Sequence, residues 1–185
     1  MYYIENSASI NLFDENKIRN NSKEVTLFLA GNIYQYDVHD CRMVWWRKDA
    51  VSLLVKKVAA LCQQVAPILR FFDPVVTTPL SIGTKIRQVA WEQAHLAQSD
   101  YILMNLTDLA HGENSLLEFG EYVKTGKLFV SCNPEFAHYI IVKQTAVFYG
   151  KEQQVVDTLD EVTDLLAQRI AFDLGLGSNN SLLLR

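Results

Sequence analysis

Three consecutive passages decide the fold: Tyr101-Ile102-Leu103-Met104-Asn105, then Asn114-Ser115-Leu116-Leu117-Glu118-Phe119-Gly120-Glu121-Tyr122, then Leu128-Phe129-Val130-Ser131-Cys132. The outer two are short, rich in β-forming residues and bounded by polar ones, so they read as buried strands. The passage between them reads as the crossover helix of a βαβ unit, which builds a parallel sheet. In open α/β sheets, ligands bind beyond the carboxyl ends of the strands, where the helices begin. The spacing predicts a helix from Ser115 with Glu118 in its first turn. There the carboxylate faces the positive end of the helix dipole, which favours the ionised form and supplies a nucleophile. Ser115-x-x-Glu118 is equally a capping box, in which both side chains satisfy free backbone donors. Local pattern leaves both readings open.

Outward from this unit the alternation continues. Val25–Ala30 is a first strand, ended by Gly31-Asn32-Ile33, where Gly31 lets backbone approach a ligand closely. A helix over Trp46–Val65 carries Val51, Leu54, Val55, Val58, Leu61, Cys62 and Val65 at helical spacing. Ile68–Phe72 is a second strand closed by Asp73-Pro74, and residues 75–83 form a loop. A helix over Lys85–Gln98 places Ile86, Val89, Ala90, Ala94 and Ala97 on one face and Gln88, Glu92 and His95 on another. After Cys132, the stretch Glu135–Tyr149 reads as a helix followed by a short strand at Ala146-Val147-Phe148. A last helix spans Leu159–Phe172, with Leu159, Val162, Leu165, Leu166 and Ile170 inward.

This predicts an N-terminal arm over residues 1–24 without sustained periodicity, one α/β domain over 25–172 and a tail over 173–185. The predicted fold is a doubly wound parallel sheet of about five strands with helices on both faces. The flavodoxin-like order 2-1-3-4-5 puts the switch point between strands one and three. Gly31-Asn32-Ile33, Asp73, Glu92 and Glu118 then surround one crevice.

Composition narrows the function. The 185 residues are 49% hydrophobic and 21% charged, as in an ordinary globular domain. A formal charge of -4 gives no basic footprint for nucleic acid. No apolar run reaches the ~18 residues of a membrane span, and no basic-then-apolar leader opens the chain. Cys41, Cys62 and Cys132 are odd in number and widely spaced, which points to thiols in a reducing, cytoplasmic setting. P-loop, G-x-G-x-x-G and G-x-S-x-G motifs are missing. Asp37-x-His39-Asp40-Cys41 holds metal-ligand types without a second cluster, so no metal and no cofactor are expected.

Several features together resemble the nucleoside 2-deoxyribosyltransferase-like family. They are Leu29-Ala30-Gly31 after the first strand, Trp91-Glu92 ahead of Ser99-Asp100, the Ser115-Leu-Leu-Glu118-x-Gly120 turn and Gly126-Lys127 before the fourth strand, over about residues 25–170. The resemblance implies a flavodoxin-like fold that cleaves the N-glycosidic bond of a nucleoside or nucleotide. Glu118 matches the family's nucleophile, which forms a covalent glycosyl-enzyme resolved by a second base or by water. Glu92 matches the assisting acid. The chemistry is that of a retaining glycosidase. The chain departs from the family at Gly112, where an Asp is usual and Glu113 is the neighbouring substitute, and at Leu27, where a Tyr is usual, with Tyr34 or Tyr36 available nearby. Relatives complete their sites across a dimer, which implies a homodimer or higher homo-oligomer with Glu135–Tyr149 as a contributor.

Further candidates for the crevice are Arg47, Asp73, Pro74, Gln88, Glu113 and Ser115. Trp45, Trp46 and Arg47 open a helix, either packing there or stacking a base and holding a phosphate. Asp73-Pro74 is a turn at the crevice. The expected function is N-glycosidic cleavage or (deoxy)ribosyl transfer on a small nucleoside or nucleotide through Glu118. The alternative is a non-catalytic nucleotide or nucleotide-signal binding module using the same crevice. A third reading places the function in assembly through the arm and tail.

Overall fold

The computed structural model describes residues 2–6, 23–32, 35–37, 42–44, 46–62, 67–75, 81–107 and 113–176. In chain order its strands and helices are β1 (Tyr2–Asn6), β2 (Glu24–Gly31), β3 (Gln35–Asp37), β4 (Arg42–Val44), α1 (Trp46–Leu61), β5 (Ile68–Asp73) and α2 (Ile82–Gln98). They continue as β6 (Tyr101–Leu106), α3 (Glu113–Tyr122), β7 (Leu128–Cys132), α4 (Tyr139–Phe148), β8 (Val155–Val156) and α5 (Leu159–Asp173). Six strands form one parallel sheet in the order β1-β5-β2-β6-β7-β8. β3 and β4 make a separate antiparallel pair.

The central order β5-β2-β6-β7-β8 is the expected flavodoxin-like 2-1-3-4-5, with β1 added outside β5. Each central strand feeds two cores, because successive side chains point to opposite faces of a sheet. Val25, Leu27 and Leu29 of β2 join Tyr101 and Leu103 of β6 and Phe129 of β7 under α1 and α5. Phe28 and Ala30 join Ile102, Met104, Leu106, Leu128 and Val130 under α2, α3 and α4. Burial on both faces explains why these strands read as continuous apolar runs.

Three expectations change. Residues 2–6 of the predicted arm are a strand, in register from Tyr2 opposite Leu69 to Asn6 opposite Asp73. Tyr2, Tyr3 and Ile4 each keep about half of their surface exposed, as an edge position allows, so no inward alternation marked them. The predicted strand at residues 146–148 is the last turn of α4, whose Val142 and Ala146 pack inward at helical spacing. The fifth core strand comes later, at Val155–Val156, after a turn through Gly150 at φ 64. On α1, Val51, Leu54 and Val58 are buried as expected, whereas Leu61 is 46% exposed and Val65 lies outside the described residues.

Candidate functional site

The carboxyl ends of β2 and β6 meet at the switch point, where Gly31 pairs with Asn105. Gly31 has φ 100, and a Cβ there would sit 2.2 Å from the Asn105 carbonyl oxygen. The close approach read from this glycine is therefore to the backbone of β6. Asn32 follows and is buried; its backbone N–H donates to the Asn105 carbonyl (3.1 Å) and its Nδ2 to the Thr107 carbonyl and Oγ1 (3.0 and 3.1 Å). Ile33 lies outside the described residues, as do Tyr34 and His39–Cys41.

Arg47 locks this corner from below. Its Nη1 donates to the Asn32 carbonyl (3.0 Å) and its Nη2 to the Gly31 carbonyl (3.1 Å), with longer bonds to Leu29. Trp46 Nε1 donates to the same Asn32 carbonyl at 2.6 Å. Arg47 also pairs with Asp73 at the end of β5, 3.3 Å away. Burial lowers its pKa to about 10, with Asp73, Glu118 and Glu92 pulling upward, so it stays cationic at neutral pH. Trp46 and Arg47 pack at this corner, and their donors tie off the end of β2.

Above this base stand three acids. Burial raises Asp73 although it accepts the Val75 N–H (3.1 Å) and faces Arg47. Glu92 of α2 is raised by burial and opposed by a bond from Gln88 Nε2 (2.8 Å) and by Arg47. The same Gln88 nitrogen donates to the Pro74 carbonyl (2.9 Å), clipping α2 to the end of β5. Glu118 of α3 is half-buried and pushed up to about 7, first by burial and then by the negative charge of Glu92. Two carboxyl groups that sense each other titrate as a pair.

The capping alternative for Glu118 does not form. α3 starts at Glu113, two residues before the expected start, so Ser115 is buried inside the helix and Glu118 occupies its second turn. No hydrogen bond to the Glu118 carboxylate occurs among the described residues. Glu113 opens the helix and is exposed. Thus Gly31, Asn32, Arg47, Asp73, Pro74, Gln88, Glu92 and Glu118 come together, and Ser115 lies buried on the same helix as Glu118.

Asn105, Thr107 and Ser131 are buried polar residues of this edge that sequence reading missed. Ser131 Oγ donates to Asn105 Oδ1 at 2.5 Å. Their signal was visible: each polar side chain sits at the carboxyl end of an otherwise apolar strand. Among the described residues no three metal-ligating side chains converge. A cavity of about 610 Å³ lies at the opposite edge of the sheet, lined in part by Lys127, Arg169 and Asp173. There Tyr101 and Arg169 both bind Asp173, at 2.5 and 2.7 Å, and Lys127 caps the carbonyls ending α2.

Fold and site define a flavodoxin-like α/β protein with paired carboxylates at the switch point. The chain belongs to the nucleoside 2-deoxyribosyltransferase-like family, whose model matches residues 24–136. That span holds Gly31, Arg47, Asp73, Glu92 and Glu118. No curated protein sequence matches the chain. Among solved structures, it is similar to a conserved protein from Enterococcus faecalis V583 at 13% identity, over 79% of this chain and 99% of that one, with a TM-score of 0.45. Among the described residues no helix is long and apolar enough to cross a membrane.

Proposed function

We propose that this protein cleaves the N-glycosidic bond of a nucleoside or nucleotide, passing the sugar to a second base or to water. The observation that carries the reading is Glu118: a half-buried carboxyl raised to about 7, beside Glu92 and bound to no backbone donor among the described residues. The pair carries one proton, which burial and the Glu92 charge favour on Glu118. The reaction proceeds from the form in which that proton has passed to Glu92 and Glu118 is anionic, with the Arg47 cation favouring one ionised carboxylate. A Glu118 oxygen attacks the anomeric carbon as the bond to the base nitrogen breaks. The bonding electrons leave with the base, and Glu92 protonates it. Glu92, now ionised, takes a proton from water or from an incoming base, whose attack on the anomeric carbon breaks the ester and frees Glu118.

Gln88 positions Glu92, and Arg47 positions the β2 corner. Asn32, Asp73, Pro74 and, beyond the described residues, Ile33 shape the pocket, with Ser115 and Glu113 at the start of α3. Buried Cys62 and Cys132, both free thiols, support a cytoplasmic setting. The test is to incubate the chain with nucleosides and nucleotides and follow released base by mass spectrometry. Release by the wild type and its loss in Glu118→Gln is expected. A stabilised melt without released base supports the binding module instead.

A further inference from the structure

We infer that the cavity at the amino edge of the sheet binds a phosphorylated sugar. β2 and β6 run from this cavity to the switch point: Val25 and Tyr101 line it, while Gly31 and Asn105 of the same strands pair at the other end. A strand rise of about 3.3 Å per residue puts roughly 20 Å between Val25 and Gly31. An occupant of the cavity therefore does not touch Glu118 or Glu92. The floor is fixed by the core, since Val25, Tyr101 and Ile170 are buried.

The walls are charged. Lys23, Lys127, Lys151 and Arg169 line them with Glu24, Asp100 and Asp173. An excess of cations here runs against the sign of the whole chain, whose formal charge is -4. Glu24 pairs with Arg70, outside the lining, at 2.8 Å, and Asp173 pairs with Arg169 at 2.7 Å. Lys127 spends its ammonium on the carbonyls of Leu96, Ala97 and Ser99 (2.7, 2.9 and 3.3 Å). The side chains of Lys23 and Lys151 have neither an ion pair nor a hydrogen bond among the described residues. Lys23 comes from the start of β2 and Lys151 from the turn before β8, where its Nζ lies over Gly126, 3.5 Å from the place of a Cβ. Two uncompensated ammonium groups facing one cavity are donors for an anion.

The acids decide what kind of anion. Asp100 accepts the N–H and the hydroxyl of Thr26 through Oδ2, both at 2.8 Å. Asp173 likewise receives Tyr101 and Arg169 through Oδ2. The second oxygen of each carboxylate remains an acceptor. A bare anion would be repelled by these oxygens, and a neutral sugar would leave the lysines unused. A phosphate ester whose body carries hydroxyl groups satisfies both, its phosphate on the ammonium groups and its hydroxyls on the carboxylates. At about 610 Å³ the cavity has the size of a small-molecule site and far exceeds a lone phosphate.

Isothermal titration calorimetry of the full chain with ribose-5-phosphate tests this, whether or not the protein turns over a nucleoside. Ribose-5-phosphate is expected to bind, with ribose and inorganic phosphate each at least about tenfold weaker. Lys23→Glu and Lys151→Glu should each weaken it about tenfold or more, with circular dichroism confirming the fold; either variant decides the matter if the other does not fold. Glu118→Gln should bind like the wild type. A nucleoside monophosphate that binds tighter through the same lysines supports the inference and makes the sugar phosphate part of a nucleotide. No binding of ribose-5-phosphate overturns it, as does equal affinity for inorganic phosphate, which means an adventitious ion only. Affinity unchanged in both lysine variants overturns it too, and so does affinity lost in Glu118→Gln, which moves the ligand to the crevice.

Discussion

At Glu118 two influences act in the same direction: burial strips water from the carboxylate, and Glu92 adds a like charge, together raising its pKa to about 7 against the pull of Arg47. The folded state then holds this proton more tightly than the unfolded chain does. The stability it contributes is complete below the ordinary carboxylate value and is lost as pH rises through about 7. Glu118→Gln should therefore melt like the wild type near pH 4 and be more stable at pH 8, by about 2 kcal/mol, as pH-dependent urea unfolding would show. If Glu118 and Glu92 act as a singly protonated pair, kcat/KM of the wild type falls as pH rises through about 7, where the pair loses its last proton. Gly31 carries a different strain. A methyl group there meets the Asn105 carbonyl at 2.2 Å on a backbone with φ 100, so Gly31→Ala should cost about 3 kcal/mol or more in denaturant unfolding. Sequence marked Gly31 as special without giving the reason. A glycine facing a ligand and one facing a neighbouring strand read alike until the register is known.

Among the elements, one motif had two outcomes. Thr158-x-x-Glu161 and Ser115-x-x-Glu118 share the capping-box pattern, and the first caps α5: Thr158 Oγ1 accepts the Glu161 N–H, while the Glu161 carboxylate accepts the Thr158 N–H. At α3 the helix begins early, and the pattern slides inside it. Thr158→Ala should cost about 1 kcal/mol of stability, whereas Ser115→Ala should cost less than about 0.5 kcal/mol; thermal melts of the two variants compare them. On α2, helical spacing separated Ile86 and Val89 from Gln88, Glu92 and His95, and the structure keeps that division. It turns the polar, aromatic side toward the sheet and the apolar side outward, an orientation that hydropathy alone suggests the other way round. Spacing fixes which residues share a face; what the face meets depends on neighbours the local sequence does not name. For the same reason α4, apolar on nearly every side, read as a strand at its end.

For the molecule as a whole, sheet order was the most legible feature. Strands buried on both faces and separated by helices admit few arrangements, and β5-β2-β6-β7-β8 is the simplest. β1 was not legible, because an edge strand with half-exposed side chains shows no burial pattern. The gathering of acids followed from the topology: the carboxyl ends of β2, β5 and β6 and the helices beside them bring Asp73, Glu92 and Glu118 around the Arg47 cation. Asn105, Thr107 and Ser131 were legible but overlooked, each a polar residue at or just past the end of an apolar strand. The most direct measurement of the central claim is intact-protein and peptide mass spectrometry after brief incubation with a nucleoside panel. The account predicts a glycosyl adduct on Glu118, accompanied by free base and missing from Glu118→Gln. Base release that survives unchanged in Glu118→Gln, or an adduct on another residue, would contradict it.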